Sequence, residues 1–318
     1  MAQGRTGLKE KMSLIFNFLI FPGFIFTAVV GMLAGWVDRK VTARIHWRVG
    51  PPWYQNFVDF YKLLGKEVII PEEGGFFFLF APLIGLSGAA LASMLLGNVA
   101  FGIAKYSFLG DLIVLVYLLT IPAISLILGA SASRNPLSSL AASREMKLVL
   151  AYELPFIVSI AVVIIKTGSL RLYDIMSYQV LNGSLASFAH GNFSGFLALI
   201  VGVFYMQAKL GLVPFDMAEA ETEIAGGALI EYSGPALAVF KLTKSIMLVV
   251  MPLLLINLFW AGQAGIPALI LKYIALLVVV ILIKNTNPRL RIDQALRFFW
   301  GPMTFLAVIA VVLAILGR

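Results

Sequence analysis

The sequence predicts an all-α integral membrane protein, and three observations lead to this fold class. Of its 318 residues, 60% are hydrophobic and 13% are charged, whereas soluble domains average about 45–50% and about 25%. About eight apolar segments have the roughly 17–25 residues that a helix needs to cross the hydrocarbon core of a bilayer. The alternating ten-residue strands typical of a transmembrane β-barrel do not occur in the sequence.

The apolar segments follow one another along the chain, so residues 1–318 are expected to form a single membrane domain. The first segment lacks a clear small-residue cleavage site, and we expect it to remain as a spanning helix rather than a signal peptide. The approximate bounds of the segments are 14–35, 76–98, 108–130, 148–166, 194–213, 237–260, 266–284 and 300–317.

Basic residues are distributed unequally between the two sides of this membrane domain. The side that contains the loops at 36–75, 131–147, 209–236 and 285–299, with three nearby lysines, holds sixteen of the 24 Lys and Arg residues. The positive-inside rule places these loops in the cytoplasm, as in a multi-pass protein of the cell membrane. Orientation in the lipid bilayer explains the excess of basic over acidic residues, so we expect no nucleic acid among the partners.

The sequence contains no cysteine and only two histidines, His46 and His190, at distant positions. Without cysteine, the chain can hold no iron–sulfur cluster, thiolate-bound metal or disulfide. A multi-histidine metal site is excluded as well. We therefore expect no cofactor on this chain, and any redox cofactor should belong to a partner subunit.

A predicted amphipathic helix lies in the first long loop on the basic side. Gly50-Pro51-Pro52 breaks the chain, and the segment after it carries apolar residues at helical spacing. These residues are Trp53, Phe57, Phe60, Tyr61 and Leu64. The pattern is typical of a helix in the membrane surface, but a helix packed on a partner subunit would have it too.

The segment from Pro214 to Tyr232 concentrates acidic residues between two apolar segments. It contains five of the sixteen acidic residues of the chain: Asp216, Glu219, Glu221, Glu223 and Glu231. If the segment is helical, Asp216, Glu219 and Glu223 lie on one face. Buried, mutually repelling carboxylates can load and release protons. The alternative, a solvated acidic loop facing water or a basic partner, is favoured slightly by the spacing alone.

A further carboxylate, Glu153, lies inside the fourth apolar segment. An acidic residue within a spanning helix is a functional candidate because burying its charge is costly. The alternative is a structural ion pair. Lys147 is too far along the helix for a direct contact, so the partner is expected from another helix.

Four motifs occur along the chain in a characteristic order. They are Asp38-Arg39-Lys40 to Arg48-Val49-Gly50-Pro51, Arg144 to Tyr152-Glu153, Pro214 to Glu223 followed by Glu231-Tyr232, and Pro288 to Gln294. In this order the motifs resemble those of the quinone-chamber membrane subunit of respiratory complex I and of its counterpart in energy-converting membrane-bound hydrogenases. The resemblance covers essentially the whole chain.

The resemblance implies a subunit with eight spanning helices that joins a peripheral redox arm to an ion-pumping membrane arm. The implied partners are hydrogenase-like large and small subunits with iron–sulfur clusters, antiporter-like membrane subunits and, through the complex, ferredoxin. The implied coupling network for H⁺ or Na⁺ consists of Asp216, Glu219, Glu221, Glu223, Glu153 and Glu231. The implied interface with the peripheral arm consists of Arg39, Arg48, Arg144, Arg289, Arg291 and Asp293.

Two departures from the motifs favour the hydrogenase-like branch, which includes sulfur-reducing complexes. The stretch Gln207 to Val213 lacks the "ETNR" of quinone-reducing members, and Leu148 replaces a glutamine. A quinone-binding subunit of a complex I type oxidoreductase is the alternative. A stand-alone transporter would require internal repeats, and we find none in the sequence. The chain alone is expected to catalyse nothing.

Overall fold

The computed structural model describes residues 12–13, 15–71, 75–102, 108–186, 192–262 and 265–317, with only the backbone at 221 and 222. All regular secondary structure in these ranges is helical. The helices are α1 (Phe24–Ile45), α2 (Gln55–Leu64), α3 (Gly75–Ala100), α4 (Asp111–Ala132), α5 (Pro136–Thr167), α6 (Leu172–Asn182), α7 (Phe193–Lys209), α8 (Glu221–Ile224), α9 (Gly234–Phe259), α10 (Gly265–Thr286), α11 (Ile292–Phe298) and α12 (Thr304–Ile315).

The predicted all-α membrane fold with about eight spanning helices is confirmed. Within the described ranges, seven helices are long and apolar enough to cross a membrane, the first from Ile15 and the last running from α11 into α12. The eighth, α7, is apolar and has 17 residues. Each predicted segment falls on one of these helices, because a chain in hydrocarbon must satisfy its backbone polar groups internally.

Three helix boundaries differ from the prediction by several residues, and each places charged residues on a helix rather than in a loop. The last spanning helix begins at Ile292 rather than near residue 300, so Asp293 and Arg297 lie on it. Helix α1 continues to Ile45, so the charged Asp38 and Arg39 lie on it. Helix α5 begins at Pro136, where the side chain of Asn135 accepts a hydrogen bond from the amide of Leu137. Arg144 and Glu145 therefore also lie on a helix. The apolar segments underestimate the lengths of these helices, because the charged turns at the helix ends are not part of an apolar segment.

Helix α9 forms the centre of the fold and is buried along most of its length. Close packing around it depends on small residues, as is usual between membrane helices. At Gly31 of α1, a Cβ atom would lie 2.0 Å from the carbonyl oxygen of Ser245 on α9. Only glycine permits the two backbones to approach this closely.

The predicted amphipathic helix exists as α2, but its apolar residues divide between two environments. Phe57 and Phe60 pack against the core, and the Asn56 amide donates a hydrogen bond to the carbonyl of Met32 at 2.7 Å. Trp53 and Tyr61 remain exposed. Helix α2 is thus fixed to α1 and α9 on one side and presents aromatic residues outward on the other.

Candidate functional site

The acidic segment between α7 and α9 is not one helix. It forms a 3₁₀ turn at Met217–Glu219, the short α8, and a second 3₁₀ turn at Gly227–Leu229. The expectation that Asp216, Glu219 and Glu223 share a helical face is therefore wrong. Gly226 and Gly227 adopt positive φ values, and a Cβ at Gly227 would lie 2.1 Å from the Ala218 carbonyl oxygen. The shared face is interrupted at Ala220, whose backbone is extended between the first 3₁₀ turn and α8, and the two glycines turn the chain only after Glu223.

Each carboxylate of this segment that the structure resolves to its side chain has its own partner, and three of the partners are basic. Asp216 accepts two hydrogen bonds from Arg289, at 2.8 and 2.5 Å. Glu223 accepts one from Arg144 at 2.6 Å.

Glu219 pairs with Lys244 of α9. Glu231 instead accepts a hydrogen bond from Asn135 at 2.6 Å, which supports the start of α5. The side chain of Glu221 lies outside the described residues.

The most buried ion pair joins Glu153 of α5 to Lys209 at the end of α7. The Nζ atom of Lys209 lies 2.5 Å from a carboxylate oxygen of Glu153, and the two side chains are 1% and 14% exposed. The same Nζ lies 5.0 and 5.5 Å from the ring centroids of Tyr152 and Tyr205. The prediction that another helix supplies the partner of Glu153 is confirmed. Charges this deep in a membrane protein persist only when they are paired.

A small cavity, the inner cavity, lies between the acidic segment and Lys209 of the buried pair. Its volume is about 60 Å³, enough for a few water molecules. The charged side chains that line it come from α5, α7, the acidic segment and α9: Glu145, Lys209, Asp216, Glu219 and Lys244. Acidic and basic groups from four separate parts of the chain thus face a common space.

Glu145 is the acidic residue of this site that the sequence did not single out. It is half-buried, and among the described residues none pairs with its carboxylate at salt-bridge distance. It interacts electrostatically with Glu219, Lys244 and Lys209. Its spacing of two helical turns from Glu153 was the available signal, but the adjacent Arg144 made it resemble an ordinary helix-end charge.

A larger cavity, the outer cavity, lies between α1, α2, α9 and the start of the acidic segment. Its volume is about 450 Å³. Six charged residues line it: Asp38, Arg39, Asp59, Glu219, Lys241 and Lys244. Because Glu219 and Lys244 line both cavities, their ion pair stands between the outer and the inner space.

The remaining predicted interface residues lie at the surface. Arg39 contacts Asn56 at 2.7 Å and Asp59 at 3.4 Å. Arg48 and Asp293 are exposed, and the backbone amide of Arg291 donates to the side chain of Gln294 at the start of α11. Arg144 and Arg289 are about a quarter exposed, so they hold acidic residues and still reach the surface. In the part of the chain that the structure describes, no group of three or more histidine or acidic residues could hold a metal ion.

Comparisons with known proteins agree with this architecture. Residues 17–315 match the family model described as NADH dehydrogenase. The chain is 33% identical to a subunit of the NADH-quinone oxidoreductase of Thermomicrobium roseum, covering 96% of each chain. It is 30% identical to hydrogenase-4 component C of Escherichia coli, covering 78% of each.

A solved structure is also similar to the chain. It is a chain of the membrane-bound sulfane sulfur reductase, an archaeal respiratory membrane complex, with a TM-score of 0.85 and 30% identity. The similarity covers 95% of this chain and 99% of that one. Similar proteins thus occur in quinone-reducing, hydrogenase and sulfur-reducing systems.

Proposed function

Because the chain belongs to the NADH dehydrogenase family, which includes a subunit of NADH-quinone oxidoreductases, we propose that it is a membrane coupling subunit of a ferredoxin-dependent complex. The complex is of the membrane-bound hydrogenase or sulfur reductase type. In it, the chain anchors a peripheral redox arm on the cytoplasmic side of the cell membrane and links electron transfer to translocation of H⁺ or Na⁺. Iron–sulfur clusters, and a nickel–iron centre if the complex is a hydrogenase, belong to the partners.

The observation that carries this proposal is the row of acidic and basic groups around the inner cavity. The Glu219–Lys244 pair lies between it and the outer cavity, and Lys209, which pairs with Glu153, also lines it. Glu145 lies on the same cavity without a salt-bridge partner among the described residues. Such a row supports stepwise movement of charge, because each group can be stabilised by the next in a low-dielectric space.

The arrangement also supplies a physical route for coupling. A change of charge in the peripheral arm acts on Arg144, Arg289 and their acidic partners at the surface. The electrostatic interaction between Glu219 and Lys244 then changes. In response, Glu145 takes up or releases the ion across the inner cavity. Lys209 interacts with both Glu145 and Glu153, so a new charge on Glu145 alters the buried pair. The change thereby reaches the membrane interior, where antiporter-like subunits would respond.

The test uses the assembled complex in proteoliposomes, with ferredoxin-driven electron transfer and ion uptake measured on the same sample. Glu145→Gln keeps the side-chain size and removes no salt bridge. We expect electron transfer to continue while the number of ions moved per electron falls well below the wild-type ratio, because a neutral amide can neither take up nor release the ion. Glu219→Gln combined with Glu223→Gln is expected to have the same effect.

Glu67→Gln provides the matched control, because Glu67 is an exposed carboxylate on the same side that lines neither cavity. It should leave the ratio of ions to electrons unchanged. Wild-type ratios in Glu145→Gln and in the double variant would contradict the coupling role. Equal losses in Glu67→Gln would show that the effect is not specific to the inner cavity.

One observation supports the alternative, a quinone-binding subunit. The outer cavity lies beside the first loop, and its volume of about 450 Å³ is within the usual range for small-molecule sites. Its six charged lining residues argue against it, because ligand sites usually contain only a small number of polar groups. Inhibition of electron transfer by added quinone analogues, lost in a Phe60→Trp variant that narrows this cavity, would favour quinone binding. Absence of inhibition would count against it.

A further inference from the structure

An apolar groove runs between α1 and α10 and shares no lining residue with the inner or outer cavity. Its volume is about 380 Å³, and every lining residue is hydrophobic. It extends from Val30 to Ile45 along α1, a distance of about 22 Å at 1.5 Å per residue. One leaflet of hydrocarbon is about 15 Å deep, so the groove can follow a lipid chain from the interface to the bilayer centre.

A basic pocket adjoins the end of this groove. Its volume is about 240 Å³, and Arg39, His46, Arg48 and Lys284 are among its lining residues. On both helices, residues that line the groove are close in sequence to residues that line the pocket. At the end of α1, Ile45 lines the groove and the next residue, His46, lines the pocket. On α10, Leu282 lines the groove and Lys284 lines the pocket.

The basic pocket keeps a charge available for an anion. Lys284 is paired with Asp38 at 2.7 Å, and Arg39 lies 3.4 Å from Asp59. Arg48 is exposed, and its guanidinium pairs with no other residue that the structure describes. A phosphate group at this position would therefore meet an arginine that is free to donate.

The residue beside this pocket, Trp47, is oriented as expected at a membrane interface. Its side chain is 98% exposed, and its backbone has a φ of 59°, which is strained for a bulky residue. Tryptophan is enriched where lipid headgroups meet water. The strained turn thus holds an indole outward at the level where a headgroup would lie.

We propose that the groove and the basic pocket together bind one anionic phospholipid, with an acyl chain between α1 and α10 and the phosphate at Arg48. A spanning helix of a partner subunit is a poorer occupant. Helix contacts in membranes are enriched in Gly, Ala, Ser and Thr, as at Gly31 against α9 in this chain. Ala34 is the single small residue among the groove residues, which are mainly Val, Ile and Leu.

The test uses the intact complex in nanodiscs containing photoactivatable phosphatidylglycerol, with the labelled peptides identified by mass spectrometry. Labelling of α1 and α10 is expected. Unlabelled phosphatidylglycerol should compete, whereas phosphatidylcholine with the same chains and inorganic phosphate should not. Arg48→Gln should lower labelling about fivefold, the effect of about 1 kcal/mol per basic residue. The control Arg44→Gln removes an exposed charge that does not line the pocket and should leave labelling close to wild type.

The groove is tested by a matched pair of neighbouring valines on α10, both exposed. Val278 lines the groove and Val279 does not, so Val278→Trp should abolish labelling and Val279→Trp should preserve it. The proposal is overturned if α1 and α10 are not labelled, if phosphatidylcholine competes equally, or if a partner subunit cross-links at Val278 instead. If Val278→Trp prevents assembly, an unchanged signal in Arg48→Gln would still overturn the proposal.

Discussion

Two ion pairs of this protein, Lys209–Glu153 and Arg39–Asp59, join similar chemical groups but lie in different surroundings. The side chains of the first are 1% and 14% exposed, with 2.5 Å between the charged atoms. Those of the second are 49% and 37% exposed, at 3.4 Å. Water can replace either partner at the surface, whereas in the interior a change in one charge must act on the other. The comparison indicates that burial decides which pairs can transmit charge.

The largest effect is expected from Lys209→Met, which leaves the Glu153 carboxylate buried without its partner. The free energy of unfolding should fall by about 3–5 kcal/mol, the usual cost of breaking a buried pair from one side. Reversible unfolding in micelles measures this loss. Adding Glu153→Leu should restore most of the stability, because an apolar pair of similar volume is often neutral. A double variant as unstable as the single one would indicate that packing, rather than the unpaired charge, causes the loss.

An intermediate effect is expected from Asp216→Asn, because the pair of Asp216 with Arg289 is partly buried. The side chains are 13% and 29% exposed, and both oxygens of Asp216 accept hydrogen bonds. Loss of the charged acceptor should reduce stability by about 1.5–3 kcal/mol in the same assay. Asp293→Asn is the control, since Asp293 is exposed, and should change stability by less than about 0.5 kcal/mol.

The smallest effect is expected from Arg39→Gln at the surface. The free energy of unfolding should change by less than about 1 kcal/mol. The difference between the variant and the wild type should disappear when salt is raised from about 0.1 M to about 1 M. Thermal unfolding at the two salt concentrations measures both effects. A loss as large as that of Lys209→Met, or one that persists at high salt, would contradict the view that exposure separates the two pairs.

The candidate site was predictable from the sequence to an uneven degree. Glu153 and the acidic segment were identifiable because a carboxylate in or beside an apolar segment is costly without a role. The partners of these residues were not, since Lys244 and Lys209 also look like ordinary basic residues at helix ends. Glu145 was not predicted for the same reason, because it too looks like an ordinary charged residue near a helix end. The assumption of a continuous helix failed at Ala220, where the backbone is extended between the first 3₁₀ turn and α8.

The sequence by itself determined that this chain is a bundle of membrane helices, because apolar length and unsatisfied backbone groups allow little else in a bilayer. It also determined which stretches carry unusual charge. Only the tertiary structure decided that Lys209 meets Glu153, that Glu145 faces the cavity between Glu219 and Lys209, and that α1 and α10 enclose a groove. These contacts join residues far apart in the chain. They depend on how the helices pack, which local patterns do not specify.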